Sequence, residues 1–169
     1  MAGRWFRLRQ MFRGVYVGPG LHLTGAPWIS LGPGVVIQRG AALYARPGGR
    51  LLISGGCRIG SDVVVSVAES VTLGHDVLLA PRCYISDHNH QFLDPTIPVM
   101  HQGMTPPAPV VIGDGSWLGI NVSVLAGVTL GRNCVVAANS VVTTSFPDGS
   151  VIGGAPARLL RSPAPPTLA

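Results

Sequence analysis

The chain has no lysine. All twelve of its basic residues are arginine, and only seven acids oppose them. Charged residues make up 11% of the 169 residues and aromatics 6%, so the charge is less than half that of an ordinary soluble domain. Cysteine occurs three times, at Cys57, Cys83 and Cys134, with no CxxC pair. Neither a disulfide framework nor a structural zinc site is expected from that count and spacing. Apolar runs are short, well under the ~18 residues a spanning helix needs, so no membrane span is expected. The net charge is +5. Four arginines (Arg4, Arg7, Arg9 and Arg13) fall in the first 13 residues, and the others are scattered singly. No basic stripe with interleaved aromatics appears, so nucleic acid is not an expected partner. No long apolar segment follows these arginines, so a secretory leader is not expected either.

What the chain does contain is glycine, 23 residues, and proline, 15 residues, beside a hydrophobic fraction of 47%. That fraction excludes a disordered Gly/Pro segment. Glycine and proline at this density also argue against helices. A six-residue period accounts for both excesses. Aliphatic residues recur at Leu31, Ile37 and Leu43, at Ile53, Ile59 and Val65, and at Leu73, Leu79 and Ile85. The period resumes at Ile112, Leu118 and Val124, then at Leu130, Val136 and Val142. Glycine follows directly at positions 32, 60, 74, 113, 119 and 131. The fourth residue past each aliphatic position is small or β-branched, as at Val35, Ala41, Val63, Val122 and Ser140, and all three cysteines share this phase. The cysteines therefore read as small core residues rather than nucleophiles.

Such a pattern predicts an all-β fold, a parallel β-helix of triangular coils with three hexapeptides per turn. The fifteen hexapeptides give about five coils. The expected organisation is an N-terminal segment over 1–30, a prism over 31–147 and a C-terminal extension over 148–169. The period slips at 46–52 and at 69–72, where corner loops are expected. It breaks altogether over 91–111, an excursion long enough to suggest function. Just before it runs Asp87-His88-Asn89-His90, the densest cluster of titratable groups in the chain. A histidine oriented by a carboxylate or carbonyl is the usual equipment of a general base.

The repeat resembles the hexapeptide-repeat acyltransferases, whose β-helix is left-handed. Within them the chain resembles the galactoside and maltose O-acetyltransferases and the O-acetyltransferases of bacterial polysaccharide biosynthesis. The matching segments are Ile112-Gly113-Asp114-Gly115-Ser116-Trp117-Leu118-Gly119, the run from Val124 to Gly131, Val136 to Thr143 with Phe146-Pro147, and Gly153-Gly154-Ala155-Pro156-Ala157-Arg158. The resemblance spans about residues 53–161. It implies a homotrimer that moves acetyl from acetyl-CoA to a sugar or glycan hydroxyl, in clefts between neighbouring prisms. It also implies a general-base histidine nine residues past the proline of an Ala-Pro pair. Here that pair is Ala80-Pro81, and the histidine is His90, with His88 as runner-up. Asp87, His88, Asn89 and His101 are the candidate acceptor-binding residues. For the coenzyme the resemblance points to Trp117, Gly119, Ala126, Ala137, Ala138 and Thr143, with Arg158 and Arg161 for the phosphates. The lysine common in the family near Thr143-Thr144 is missing.

Two other readings were weighed. A γ-carbonic-anhydrase-like enzyme needs a Gly-His-x-x-x-x-His stretch, and Gly119 to Leu125 has no histidine; no metal is expected. A non-catalytic binding prism does not call for a histidine cluster beside a long loop. The first 13 residues, where Trp5, Phe6, Leu8, Met11 and Phe12 alternate with arginines, are read either as a prism cap or as a peripheral membrane contact. The expected location is the cytoplasm, at the inner face of the membrane in the second case.

Overall fold

A computed structural model describes residues 14–162. The 1–13 segment, read as a cap or membrane contact, lies outside the described residues, as does 163–169. The chain forms the expected left-handed parallel β-helix. Its first face is an eight-stranded sheet running Tyr16–Val17, Val36–Ile37, Arg58–Ile59, Leu78–Leu79, Trp117–Leu118, Val135–Val136, Val151–Gly154 and Ala157–Arg161. A second face has six strands, from His22–Thr24 to Val141–Val142, and a third has five, from Ile29–Leu31 to Thr129–Leu130. Every pairing is parallel except the last, where Ala157–Arg161 turns back on Val151–Gly154.

Both predicted inward phases are buried. Ile37, Leu43, Ile59, Leu79, Ile85, Ile112 and Leu118 are fully inside, as are Val35, Val63, Val122, Ser116 and the three cysteines. Each cysteine thiol donates to a carbonyl across the coil: Cys57 to Gly74 at 2.9 Å, Cys83 to Gly119 at 3.3 Å and Cys134 to Pro147 at 3.2 Å. Burial pushes all three thiols up, Cys83 to about 11, which leaves them protonated and unreactive near neutrality. The corners turn through left-handed backbone. Asp62, Asp76, Asn121, Asn133 and Asn139 hold positive φ there, and Asp and Asn tolerate that region best among non-glycine residues.

The prism is longer than the sequence reading. It has about 7 turns, not five, and begins before Leu31. Tyr16–Val17 pairs with Val36–Ile37, and His22–Thr24 pairs with Ala42–Ala45. The first coil is hidden from a strict period because the 3-10 turn Ala26–Trp28 separates Leu23 from Leu31 by eight positions. At the other end Val151–Ile152 adds a rung beside Val135–Val136, so the boundary at 147 is also too short. All five departures from period six lie at the corner between the second and third faces: 25–28, 46–49, 68–69, the long loop, and a shortened step of four residues from Val142 to Phe146, which bridges to Leu130. Insertions are tolerated there because the neighbouring coils carry the ladder on either side.

The glycines after the aliphatic positions relieve close backbone contact. A Cβ on Gly60 would lie 2.7 Å from the Leu79 oxygen, the Ala80 carbonyl carbon and the Pro81 nitrogen, all backbone. Gly60→Ala is therefore expected to cost about 1–3 kcal/mol. In thermal unfolding this should appear as a midpoint lowered by roughly 5 °C; an unchanged midpoint would show that the coils have slack.

Candidate active site

The long loop is not structureless. It leaves the prism on a narrow neck whose two strands pair. Ala108 N donates to Asp87 O at 2.8 Å, Thr105 N to Asn89 O at 2.8 Å and Gln91 N to Gly103 O at 3.0 Å, and His90 bridges antiparallel to Met104. Further out, the Gln102 side-chain amide clamps the tip by donating to the carbonyls of Asp94 and Ile97, both at 2.7 Å. Asp94 caps Thr96, whose hydroxyl and N–H hold its carboxyl below the usual carboxylate range. The tip exposes Phe92, Leu93, Ile97, Val99 and Met100.

Asp87 sits at the foot of the neck and is fully buried. Its carboxylate accepts from the N–H groups of Ala68 at 2.8 Å, Glu69 at 2.7 Å and Ser70 at 2.8 Å. These are the backbone donors of the corner one coil earlier, where the two-residue slip lies. The same carboxylate meets His88 Nδ1 at 2.7 Å. A carboxylate only accepts, so Nδ1 carries the hydrogen and Nε2 is the ring's acceptor nitrogen. The His88 side chain is 8% exposed. His90 and Asn89 are exposed, and Asn89 Oδ1 accepts from His90 N at 2.9 Å. His101, in a short 3-10 turn at the tip, is exposed as well.

The predicted coenzyme residues fall into two groups. Ala126 and Thr143 belong to the corner that bears the neck, directly beneath it. Gly127 N donates to Ala108 O at 2.9 Å, and Leu125 N to Val142 O at 3.1 Å. Trp117, Gly119, Ala137, Ala138, Arg158 and Arg161 lie on the first face or at its margin. There Gly60, Ala80, Gly119, Ala137 and Gly153 follow one another in successive coils, a ledge free of large side chains. Arg158 pairs with Gly153 at its end. The first face also exposes Leu78 beside Trp117, the latter 48% exposed. The second face lies between this ledge and the neck. Sequence reasoning missed Gln102, Thr105 and the corner 68–70, because their partners lie 5 to 19 positions away. The adjacency of Asp87 and His88 was the available signal for the buried pair.

A family model described as "Bacterial transferase hexapeptide (six repeats)" matches residues 109–144. The chain is 36% identical over 139 residues to the "Putative lipopolysaccharide biosynthesis O-acetyl transferase WbbJ" of Escherichia coli, with 79% of this chain and 71% of that protein covered. The chain belongs to the hexapeptide-repeat acyltransferase family. The chain is also 34% identical over 151 residues to the probable acetyltransferase Rv3034c of Mycobacterium tuberculosis, covering 88% of the chain but only 50% of that protein. The chain thus spans half the length of that relative. Among solved structures, the hexapeptide-repeat acetyltransferase VCA0836 of Vibrio cholerae, complexed with acetyl coenzyme A, superposes with a TM-score of 0.64 at 28% identity, covering 97% of this chain and 78% of that one.

Proposed function

We propose that this acyltransferase moves an acetyl group from acetyl-CoA to a hydroxyl of a sugar or glycan precursor, with His90 as general base, in a homotrimer whose sites lie between neighbouring prisms. The observation that carries this reading is the separation of the two residue groups. His90, Ala126 and Thr143 share the neck-bearing corner, while Trp117, Gly119, Ala137 and Arg158 line the first face. On this reading the two groups meet at one reacting centre across two chains. In the proposed trimer the first face of a second copy meets the neck of the first, an arrangement favoured by the exposed apolar tip and the exposed Leu78 and Trp117. Exposed apolar patches of this kind favour a protein interface.

The chemistry is direct transfer. The acceptor hydroxyl attacks the thioester carbonyl while His90 takes its proton. A backbone N–H stabilises the oxyanion. The tetrahedral intermediate then collapses, forming the ester and expelling the CoA thiolate, which recovers the proton from the imidazolium. The thiols are buried and protonated, so no acyl-cysteine is invoked. The ledge of small residues suits the pantetheine arm, and Arg158 and Arg161 suit the nucleotide phosphates. His88 as base is a second reading, favoured by its 2.7 Å contact with Asp87.

Release of CoA from acetyl-CoA in the presence of candidate sugars tests the activity. Mixing tests the shared site. His90→Ala and Trp117→Ala chains, each nearly inactive alone, are expected to recover activity when unfolded and reassembled together, because some mixed sites carry both native groups. Failure to recover, with both variants folded and trimeric, would place the whole site within one chain.

A further inference from the structure

The arginines that look scattered in sequence are polarised along the prism. Residues 14–61 contain four arginines and no acid, a net +4. Residues 62–169 contain four arginines and all seven acids, a net −3. Coils stack in chain order, so this asymmetry in sequence is an asymmetry in space. At about 4.8 Å per coil and about 7 turns, the two ends stand farther apart than the Debye length of ~8 Å at physiological salt. Each end therefore presents its own field.

Within the described residues the basic end carries Arg39, Arg46, Arg50 and Arg58, all exposed. None makes a described side-chain hydrogen bond or salt bridge; those of Arg82, Arg132 and Arg158 all lie farther along the prism. The four sit on different sides of the prism. Arg39 is at the corner of the first and second faces, Arg46 and Arg50 flank the corner of the second and third, and Arg58 is on the first face. They form a ring about the axis, which suits a planar charged surface met end-on better than the stripe a nucleic acid groove requires. Val15, Leu21 and Leu23 of the first coil are only half-buried against the core. Tyr16, Trp28 and Tyr44 stand exposed near the same end. An apolar end with a cationic ring and aromatic side chains is the combination that an anionic lipid surface recognises.

We propose that the N-terminal end of the prism is a docking surface for an anionic lipid bilayer. The proposal is independent of the acyl-transfer reading. The prism's own arginines carry this charge; Arg4, Arg7, Arg9 and Arg13 lie outside the described residues.

The test uses the full chain in vesicle flotation, with phosphatidylcholine alone and with phosphatidylcholine mixed with phosphatidylglycerol. Binding to the mixed vesicles is expected, with release at ~1 M salt, where the Debye length falls to about 3 Å. Each arginine near an anionic surface is worth about fivefold in partition. Combined Arg39→Gln, Arg46→Gln and Arg50→Gln should therefore weaken binding about 10²-fold, with far-ultraviolet circular dichroism unchanged. Arg132→Gln, at the opposite end, should leave it unaltered. Undiminished binding by the triple variant, equal binding to pure phosphatidylcholine, or stronger binding to a duplex DNA at the same salt would each overturn the proposal.

Discussion

His90→Ala is expected to lower kcat for acetyl transfer by about 10²- to 10⁴-fold without changing the thermal midpoint. His90 is exposed, and its described bonds are backbone bonds, from its N–H to Asn89 Oδ1 and in the bridge to Met104. Alanine keeps that backbone and leaves no buried group unpaired, so the loss should lie in turnover and not in folding. The KM for acetyl-CoA should stay within a few-fold, because the ledge assigned to the coenzyme lies on another face. The companion variant is His88→Ala. With His90 as base, His88→Ala perturbs the foot of the neck and lowers kcat moderately. The reverse ranking, near-native turnover in His90→Ala and near-complete loss in His88→Ala, would transfer the base assignment to the histidine held by Asp87. A steady-state comparison of the two, with acetyl-CoA saturating, decides between them.

Much of the fold was legible because the prism core accepts one side-chain class at each phase. Ile37, Ile59, Leu79 and Leu118 stack on one another in successive coils, and within each coil the inward positions, such as Ile53, Ile59 and Val65, recur every six residues. The first coil was not legible, since Ala26–Trp28 puts two extra residues between Leu23 and Leu31 and breaks the count. The last rung was hidden for a different reason. Ile152 fills the aliphatic position beside Val136, but Phe146, which bridges to Leu130, follows Val142 by four positions rather than six and breaks the count. Sequence proximity drew attention to the titratable cluster at 87–90, yet it did not say which imidazole faces the carboxylate. That depends on side-chain torsions and on the neck strand Thr105–Ala108, which is distant in sequence. The charge polarity is hidden in the sequence because arginines counted singly look dispersed until the coils are stacked.

Asp87→Ala is expected to be the most damaging single substitution at the foot of the neck, in stability as well as turnover. The carboxylate is fully buried and gathers four donors: the N–H groups of Ala68, Glu69 and Ser70 and the Nδ1–H of His88. Removing it leaves a corner whose donors have no replacement acceptor, at about 1–3 kcal/mol for each unsatisfied buried group. Water can enter the vacated space and recover part of this, so a net loss of about 3–5 kcal/mol is expected. For a chain of this size that is a fall of roughly 10–15 °C in the thermal midpoint. Hydrogen exchange should quicken first at residues 68–70, and the neck, tied to Asp87 through Ala108 N, should loosen with it. Asp87→Asn separates shape from charge. It keeps one acceptor oxygen for Glu69 and Ser70, but its amide N–H₂ turns toward Ala68 N–H and His88. The ring must then accept at Nδ1 and carry its hydrogen on Nε2. If His90 is the base, this variant should recover most of the lost stability and more turnover than Asp87→Ala. If His88 is the base, stability should return while turnover does not, because the nitrogen that would take the proton already holds one. A native midpoint and native turnover in Asp87→Ala would refute the anchoring role outright.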